Sequence, residues 1–312
     1  MTTAFVFPGQ GSQSVGMMAA LAAEYPDVRR TFDEASSVLG EDLWALAQQG
    51  PAGRLALTEV TQPVMLVAGV ATWRIWQSCG GAGPAVVAGH SLGEFTALVA
   101  AGVLEFRAAV ELVRFRGEIM RDAVAVGEGG MAAILGLEDV DVESACAQAE
   151  QGEVAEAVNY NAPGQIVIAG HATALARAIE LAKGKGAKRA LPLPISVPCH
   201  SRLMRGAAER LRERLGSVAL ASPTVRFVSS VDARDYVDAI AIRDLLYRQL
   251  ASPVRWVATV QTLVAGGVRR FVECGPGKVL TGLNRRIDKS PTVTCQALED
   301  PASLSAALGS TP

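Results

Sequence analysis

AVVAGHSLGEFTALVAA (residues 85–101) runs an apolar, valine-containing stretch straight into a G-x-S-x-G turn and out into helix-forming residues. AVVAG (85–89) reads as a strand, Gly89, Ser91 and Gly93 make the turn, and SLGEFTALVAA (91–101) continues as a helix. Strand, sharp turn and helix in that order are what a nucleophile elbow requires: the serine hydroxyl projects from a strained backbone, and the amide of the next residue, Leu92, points at the same space. A tight βα turn with a capping serine uses the same residues, and it is the structural alternative. Both readings make this a βα unit and place the chain in the α/β class.

Working outward, FVF (5–7) is strand-like, with a helical region to about 24 and further helices to about 78. Beyond the elbow comes a long helix at about 106–123, then VGEGG (126–130) as a hinge. The rhythm then changes. MAAILGL (131–137), AEAVNYN (155–161), GQIVIAG (164–170) and AKRALPLPI (187–195) are strand-like, with helical patterns after the first and third. That order, β-α-β-β-α-β, is ferredoxin-like. A helix at 200–215, the strand VRFVSS (225–230) and a helix near 240–250 follow. VRRFVECGPGKVLTGLNRRI (268–287) reads as strand, glycine turn and helix, and GSTP (309–312) as a frayed tail. The predicted fold is a large α/β-hydrolase-like domain with a parallel sheet (1–127 and 197–312) and an inserted ferredoxin-like small domain (128–196).

Composition bounds the function. Of 312 residues, 50% are hydrophobic and 19% charged, as in a well-packed globular protein. A net charge of −2 argues against a general nucleic-acid or membrane-surface binder. The longest apolar run, PVMLVAGVATW (63–73), is too short to span a bilayer, and no secretory signal pattern opens the chain. Five cysteines without a C-x-x-C pair, and only three histidines, suit a reducing cytoplasm and no metal site.

FVFPGQGSQ (5–13) is a glycine loop after a strand, and both nucleotide readings of it fail. Ser14 stands where a dinucleotide fingerprint needs its third glycine, and Met17 where a P-loop needs its lysine. Acyl transfer through a serine instead needs two convergent amides for the oxyanion. Leu92 supplies one, and the amide of Gln10, in a loop unobstructed by bulky side chains, supplies the other. The serine also needs a base. His90 adjoins Ser91 and is expected to point away from it. His171 opens a helix, where a capping or surface role explains it. His200, in PLPISVPCHSRLM (192–204), is placed at a strand end in the same sheet system as Ser91 and is the base by elimination. A hydrolase would carry its histidine near the C-terminus, but no histidine follows His200, so the hydrolase order Ser…Asp/Glu…His is absent.

Arg116 stands out on the 106–123 helix. At 100° per residue, Phe106, Val110, Val113, Gly117 and Met120 share a face. Arg116 falls beside it, between Ala109, Leu112 and Ile119, while Arg107, Glu111, Arg114 and Glu118 lie opposite. A guanidinium inside an apolar stripe needs an anion or an internal ion pair, unless it snorkels to solvent.

FPGQGSQ, TQP (61–63), GHSLGE, Arg116 with Gly117 and Met120, NYNAPGQ (159–165), PCH (198–200) and GPGKVLTGLNRRI, in that order, resemble the malonyl-CoA:acyl-carrier-protein transacylases of fatty-acid synthesis. The resemblance runs from residue 5 to about 287. It implies a two-domain fold and a Ser91–His200 dyad with an oxyanion hole at Gln10 and Leu92. It also implies that a main-chain carbonyl, at Gln249 here, orients the histidine, and that Arg116 pairs with the malonyl carboxylate. Gln62, Asn159 and Asn161 fall in pocket-lining motifs. Cys199 stands where relatives often carry serine, in a neighbourhood that tracks acyl choice, whereas Leu92 fits the malonyl pattern.

The implied reaction is ping-pong transfer from malonyl-CoA to acyl carrier protein, without metal or cofactor. KGKGAKR (183–189), Arg285 and Arg286 are candidates for docking the acidic carrier. An acyl thioesterase, a stand-alone acyltransferase of a polyketide synthase and a non-catalytic acyl-carrier binder are the rivals.

Overall fold

The structure is a computed structural model and describes residues 2–309, so the expected fraying of the tail beyond Gly309 lies outside the described residues. Its strands are β1 (Thr2–Phe7), β2 (Val86–Gly89), β3 (Gly129–Leu135), β4 (Ala155–Ala162), β5 (Gln165–His171), β6 (Arg189–Pro192), β7 (Arg226–Val228), β8 (Asp235–Tyr236), β9 (Val268–Glu273) and β10 (Thr294–Ala297).

Six strands form one sheet in the order β10-β9-β1-β2-β7-β8, parallel throughout except where β8 returns antiparallel beside β7. β2 is buried along its whole length, as a strand covered by helices on both faces must be. Chain order reverses at β1, which pairs with β2 on one side and β9 on the other. Crevices at such switch points, beyond the carboxyl ends of parallel strands, are where α/β sheets bind ligands. Register brings Phe7 level with Gly89, so the glycine loop after β1 and the elbow after β2 leave the sheet side by side.

The Thr58–Ser78 helix packs on this sheet and meets the Phe106–Arg121 helix. Phe5 fixes the first contact, with its ring edge-on to Trp73 and Trp76 at 5.5 and 5.1 Å. Gly117 fixes the second, because a Cβ there would lie 2.4 Å from the Glu59 Cα. The two backbones touch, and this approach brings Arg116 against Gln62.

β4-β5-β3-β6 form a separate antiparallel sheet. The Asp139–Ala149 and Ala172–Gly184 helices share a core with it, built from residues such as Ile134, Val142, Ile168 and Leu175. Strand β4 also binds the larger body: Val254 N donates to Val158 O at 2.8 Å and Tyr160 N to Val254 O at 2.9 Å.

The long helix ends at Arg121 rather than 123, and the expected hinge overlaps the start of β3. Sequence reading omitted β8, β10 and the Trp256–Ala265 and Pro301–Gly309 helices. The two strands are only two and four residues long, too short to show a period.

Gly117→Ala should lower unfolding stability by about 1–3 kcal/mol, the usual cost of overpacking, because the atom in its way is backbone. A urea melt with an unchanged midpoint would show that the two helices can part freely.

Candidate active site

The elbow is built by what its glycines lack. A Cβ on Gly89 would fall 2.0 Å from the Gly93 carbonyl carbon, and one on Gly93 would fall 1.9 Å from Phe7 O. A Cβ on Gly9 would lie 2.5 Å from His90 O, so the two loops also meet backbone to backbone. Ser91 between them has φ 52°, a left-handed conformation uncommon outside glycine and worth 1–3 kcal/mol of strain by order of magnitude. Among the described residues its hydroxyl accepts no main-chain N–H of the following helix. It donates instead to His200 Nε2 at 2.7 Å.

His200 is buried and also left-handed, with φ 65°. Its Nδ1 lies 3.0 Å from Gln249 O, which can only accept, so Nδ1 carries the proton and Nε2 offers its lone pair to Ser91. Burial first, and then the Arg116 charge, pull its pKa down to about 3.

The expected position of His200 needs correction. β6, the strand before it, belongs to the antiparallel sheet and ends at Pro192, so His200 is not at a strand end of the Ser91 sheet. Pro194 and Pro198 lack the N–H that would continue a ladder. His90 turns to Asn161, with Nε2 and Oδ1 2.8 Å apart. His171 makes no side-chain cap; its Nδ1 accepts the Val154 N–H at 2.9 Å.

Arg116 is 1% exposed, so it does not snorkel, and among the described residues it has no ion-pair partner. Its hydrogen-bond partners are neutral: Gln62 Oε1 at 2.7 Å, Gln249 Oε1 at 3.0 Å and Ser91 Oγ at 3.3 Å. Its Nε has none. Burial lowers its pKa to about 10, so the group stays charged at neutral pH.

Both glutamines are held with oxygen towards the cation. Gln62 Nε2 donates to Thr58 Oγ1 at 3.0 Å, and Gln249 Nε2 donates to Ser91 O at 3.1 Å and to Glu94 Oε2. Glu94, absent from the sequence reading, is fully buried and also accepts from Ser229 Oγ and Ser230 N. Burial raises its pKa, and those donors oppose the rise. The S-x-x-E spacing from Ser91 matches a capping box, a local pattern that masks a carboxylate turned into the core.

Ser91, His200, Arg116, Gln62, Gln10 and Leu92 line one small cavity of about 60 Å³. The Gln10 and Leu92 amides make no backbone hydrogen bond among the described residues. A larger cavity of about 340 Å³ shares Gln10, His90 and Asn159 with the first and also reaches Asn161 and Leu283. Asn161 therefore stands in the outer space, whereas Asn159 borders both and has a buried Oδ1 without a partner. Cys199 lines the small cavity as a thiol whose pKa burial pushes up to about 11. Among the described residues no cluster could hold a metal ion.

A serine on an elbow, an imidazole at its hydroxyl and two free amides beside it are the parts of an acyl-transfer site. The chain belongs to the acyl transferase domain family, whose pattern matches residues 4–299. Within it, the chain is 56% identical over 305 residues to the malonyl CoA-acyl carrier protein transacylase of Salmonella typhimurium, covering 98% of both chains. An acyl carrier protein S-malonyltransferase from Vibrio cholerae superposes with a TM-score of 0.95 at 53% identity, over 98% of this chain and 99% of that one. A malonyl-transacylase in complex with a type II polyketide-synthase acyl-carrier protein gives 0.98 at 49% identity, over the whole of both chains.

The His200 ring should stay neutral down to about pH 3 in the folded chain, against about 6.5 when unfolded. The unfolded chain then takes up a proton that the folded one refuses, so stability should fall as pH drops from about 6.5 towards 3. NMR of the imidazole nitrogens checks this, and titration near 6.5 would contradict it.

Proposed function

We propose that the chain transfers malonyl from malonyl-CoA to the phosphopantetheine thiol of acyl carrier protein through a malonyl-Ser91 intermediate. The observation that carries this reading is Arg116: a buried guanidinium without a carboxylate partner, 3.3 Å from the serine hydroxyl. A ligand carboxylate there gains a charge-assisted, two-point pair. The names of the relatives agree with it.

His200 Nε2 takes the Ser91 proton as Oγ attacks the thioester carbonyl, and the Gln10 and Leu92 amides receive the oxyanion. The intermediate collapses, and CoA leaves with the proton from His200. The carrier thiol then gives its proton to the same nitrogen and attacks the acyl-serine carbonyl; as that intermediate collapses, Ser91 Oγ leaves and takes the proton back from His200. Gln249 O steadies the imidazolium formed in each half. Arg116 depresses the basicity of His200. A bound malonyl carboxylate offsets that charge, so the preferred substrate also strengthens the base.

The division into a large α/β domain (1–127, 197–312) and an inserted ferredoxin-like domain (128–196) is supported by the separate core and the order β4-β5-β3-β6. A cytoplasmic site of action agrees with the free cysteines, and no described helix is long and apolar enough to cross a membrane.

The basic docking stretch divides. Lys183 pairs with Glu180 and Lys185 with Asp141, while Lys188 and Arg286 have no ion-pair partner among the described residues. Lys188 packs over Gly136, beside Gly164, and Arg286 donates to Pro163 O and Gln165. Both charges therefore flank the turn between β4 and β5, where Gln165 lines the outer cavity. Arg285 turns to Cys295 O instead. One relative's partner is a polyketide carrier, which keeps a polyketide recipient as the second reading.

Brief exposure to malonyl-CoA should leave a malonyl adduct on Ser91, discharged faster by carrier protein than by water. In Arg116→Ala the malonyl-to-acetyl ratio of kcat/KM should fall roughly a hundredfold. An adduct on Cys199 in intact-protein mass spectrometry, or equal losses for both acyl groups, would overturn the respective assignment.

Lys188→Glu and Arg286→Glu should each raise the apparent KM for carrier protein, with acylation by malonyl-CoA little changed and the difference shrinking in salt. Unaltered carrier kinetics in both variants would reject this surface.

A further inference from the structure

His200 is aligned with little side-chain help. Its ring meets the nucleophile and the neutral main-chain carbonyl of Gln249. Among the described residues no carboxylate holds it, so its precision must come from the main chain, which is left-handed at a residue with a full side chain. Such a conformation persists only where the surroundings over-determine it.

On the entry side the turn is closed locally, by Ser201 Oγ donating to Pro198 O at 2.8 Å. On the exit side it is held from the other sheet. The Arg202 main-chain N–H donates to Glu156 Oε2 at 2.8 Å, and Arg202 Nη1 donates to Glu156 Oε1 at 2.8 Å. Glu150 and the Glu153 carbonyl also meet the Arg202 guanidinium, but Glu156 alone takes the main-chain N–H.

Glu156 lies on β4, the strand that binds Val254 through Val158 O and Tyr160 N. Val254 closes the segment that begins at Gln249, whose carbonyl accepts the hydrogen bond from His200 Nδ1. One strand thus grips the chain just beyond each partner of the His200–Gln249 hydrogen bond.

We propose that Glu156 is a positioning residue for the base: across the seam between the sheets, its carboxylate fixes the main chain that presents His200 to Ser91. This rests on the reading of His200 as the base. It acts on proton transfer, whereas Arg116, on the Phe106–Arg121 helix, anchors the acyl group.

The test uses the whole chain and two reagents for Ser91: malonyl-CoA, and a neutral sulfonyl fluoride that needs the nucleophile and base but no anion site. Glu156→Leu should slow both modifications about tenfold or more, with half-saturation by malonyl-CoA changed less than about twofold. Glu156→Gln keeps an oxygen for the Arg202 N–H and should retain at least about a third of the native rates. Thermal melts establish folding. If the leucine variant does not fold, Glu156→Asp, too short to span the gap, carries the same expectation. Native rates in the folded leucine or aspartate variant overturn the proposal, as does a loss confined to malonyl-CoA. His200→Ala separates the two ideas. If it is as fast as the native chain, the base reading fails; if it is slow while the Glu156 variants are fast, only the positioning role fails.

Discussion

A positive charge buried without a counter-charge in contact organises this molecule. Removing a guanidinium from water costs several kcal/mol unless hydrogen bonds and nearby charge offset it. Here the offset is spread out: two glutamine oxygens face Arg116, and Glu94 sits one amide further away, behind Gln249. Each glutamine can serve only in one orientation. Acceptors at Thr58, Ser91 and Glu94 take their NH₂ groups, so donors never face the cation. Gln249 is where the constraints converge. Its side chain meets Arg116 and the elbow, and its carbonyl meets His200.

The sheet makes that network possible by bringing distant segments to one crevice. Parallel pairing of β1 with β2 aligns the glycine loop and the elbow, and the three glycines let them close to backbone contact. Gly117 does the same for the two helices that carry Gln62 and Arg116. At these positions the site depends on the absence of a side chain.

Much of this could be read from residues alone, for identifiable reasons. The elbow is local: strand, turn and helix lie within 17 residues, and their chemistry follows from spacing. Arg116 was visible because a charge breaking an apolar period is conspicuous, and the helix does bury that stripe. His200 emerged by elimination, but its setting was misjudged, because a strand in the sequence does not say which sheet it joins. Gln249 came only from family resemblance, since a main-chain carbonyl leaves no trace in residue type. Neither Glu94 nor Glu156 declares its role in the sequence. The first is disguised as a helix cap, and the second sits in a strand whose alternation is ordinary, its partner 46 residues away.

The room beside Ser91 has a further consequence. At about 60 Å³ it is less than a fifth of the outer cavity of about 340 Å³ with which it shares Gln10, His90 and Asn159. Met120, Leu92 and Gln62 wall it in. The cavity is therefore a ruler as well as a charge trap. Size and charge coincide at one spot, where a short acyl group that ends in a carboxylate meets both conditions.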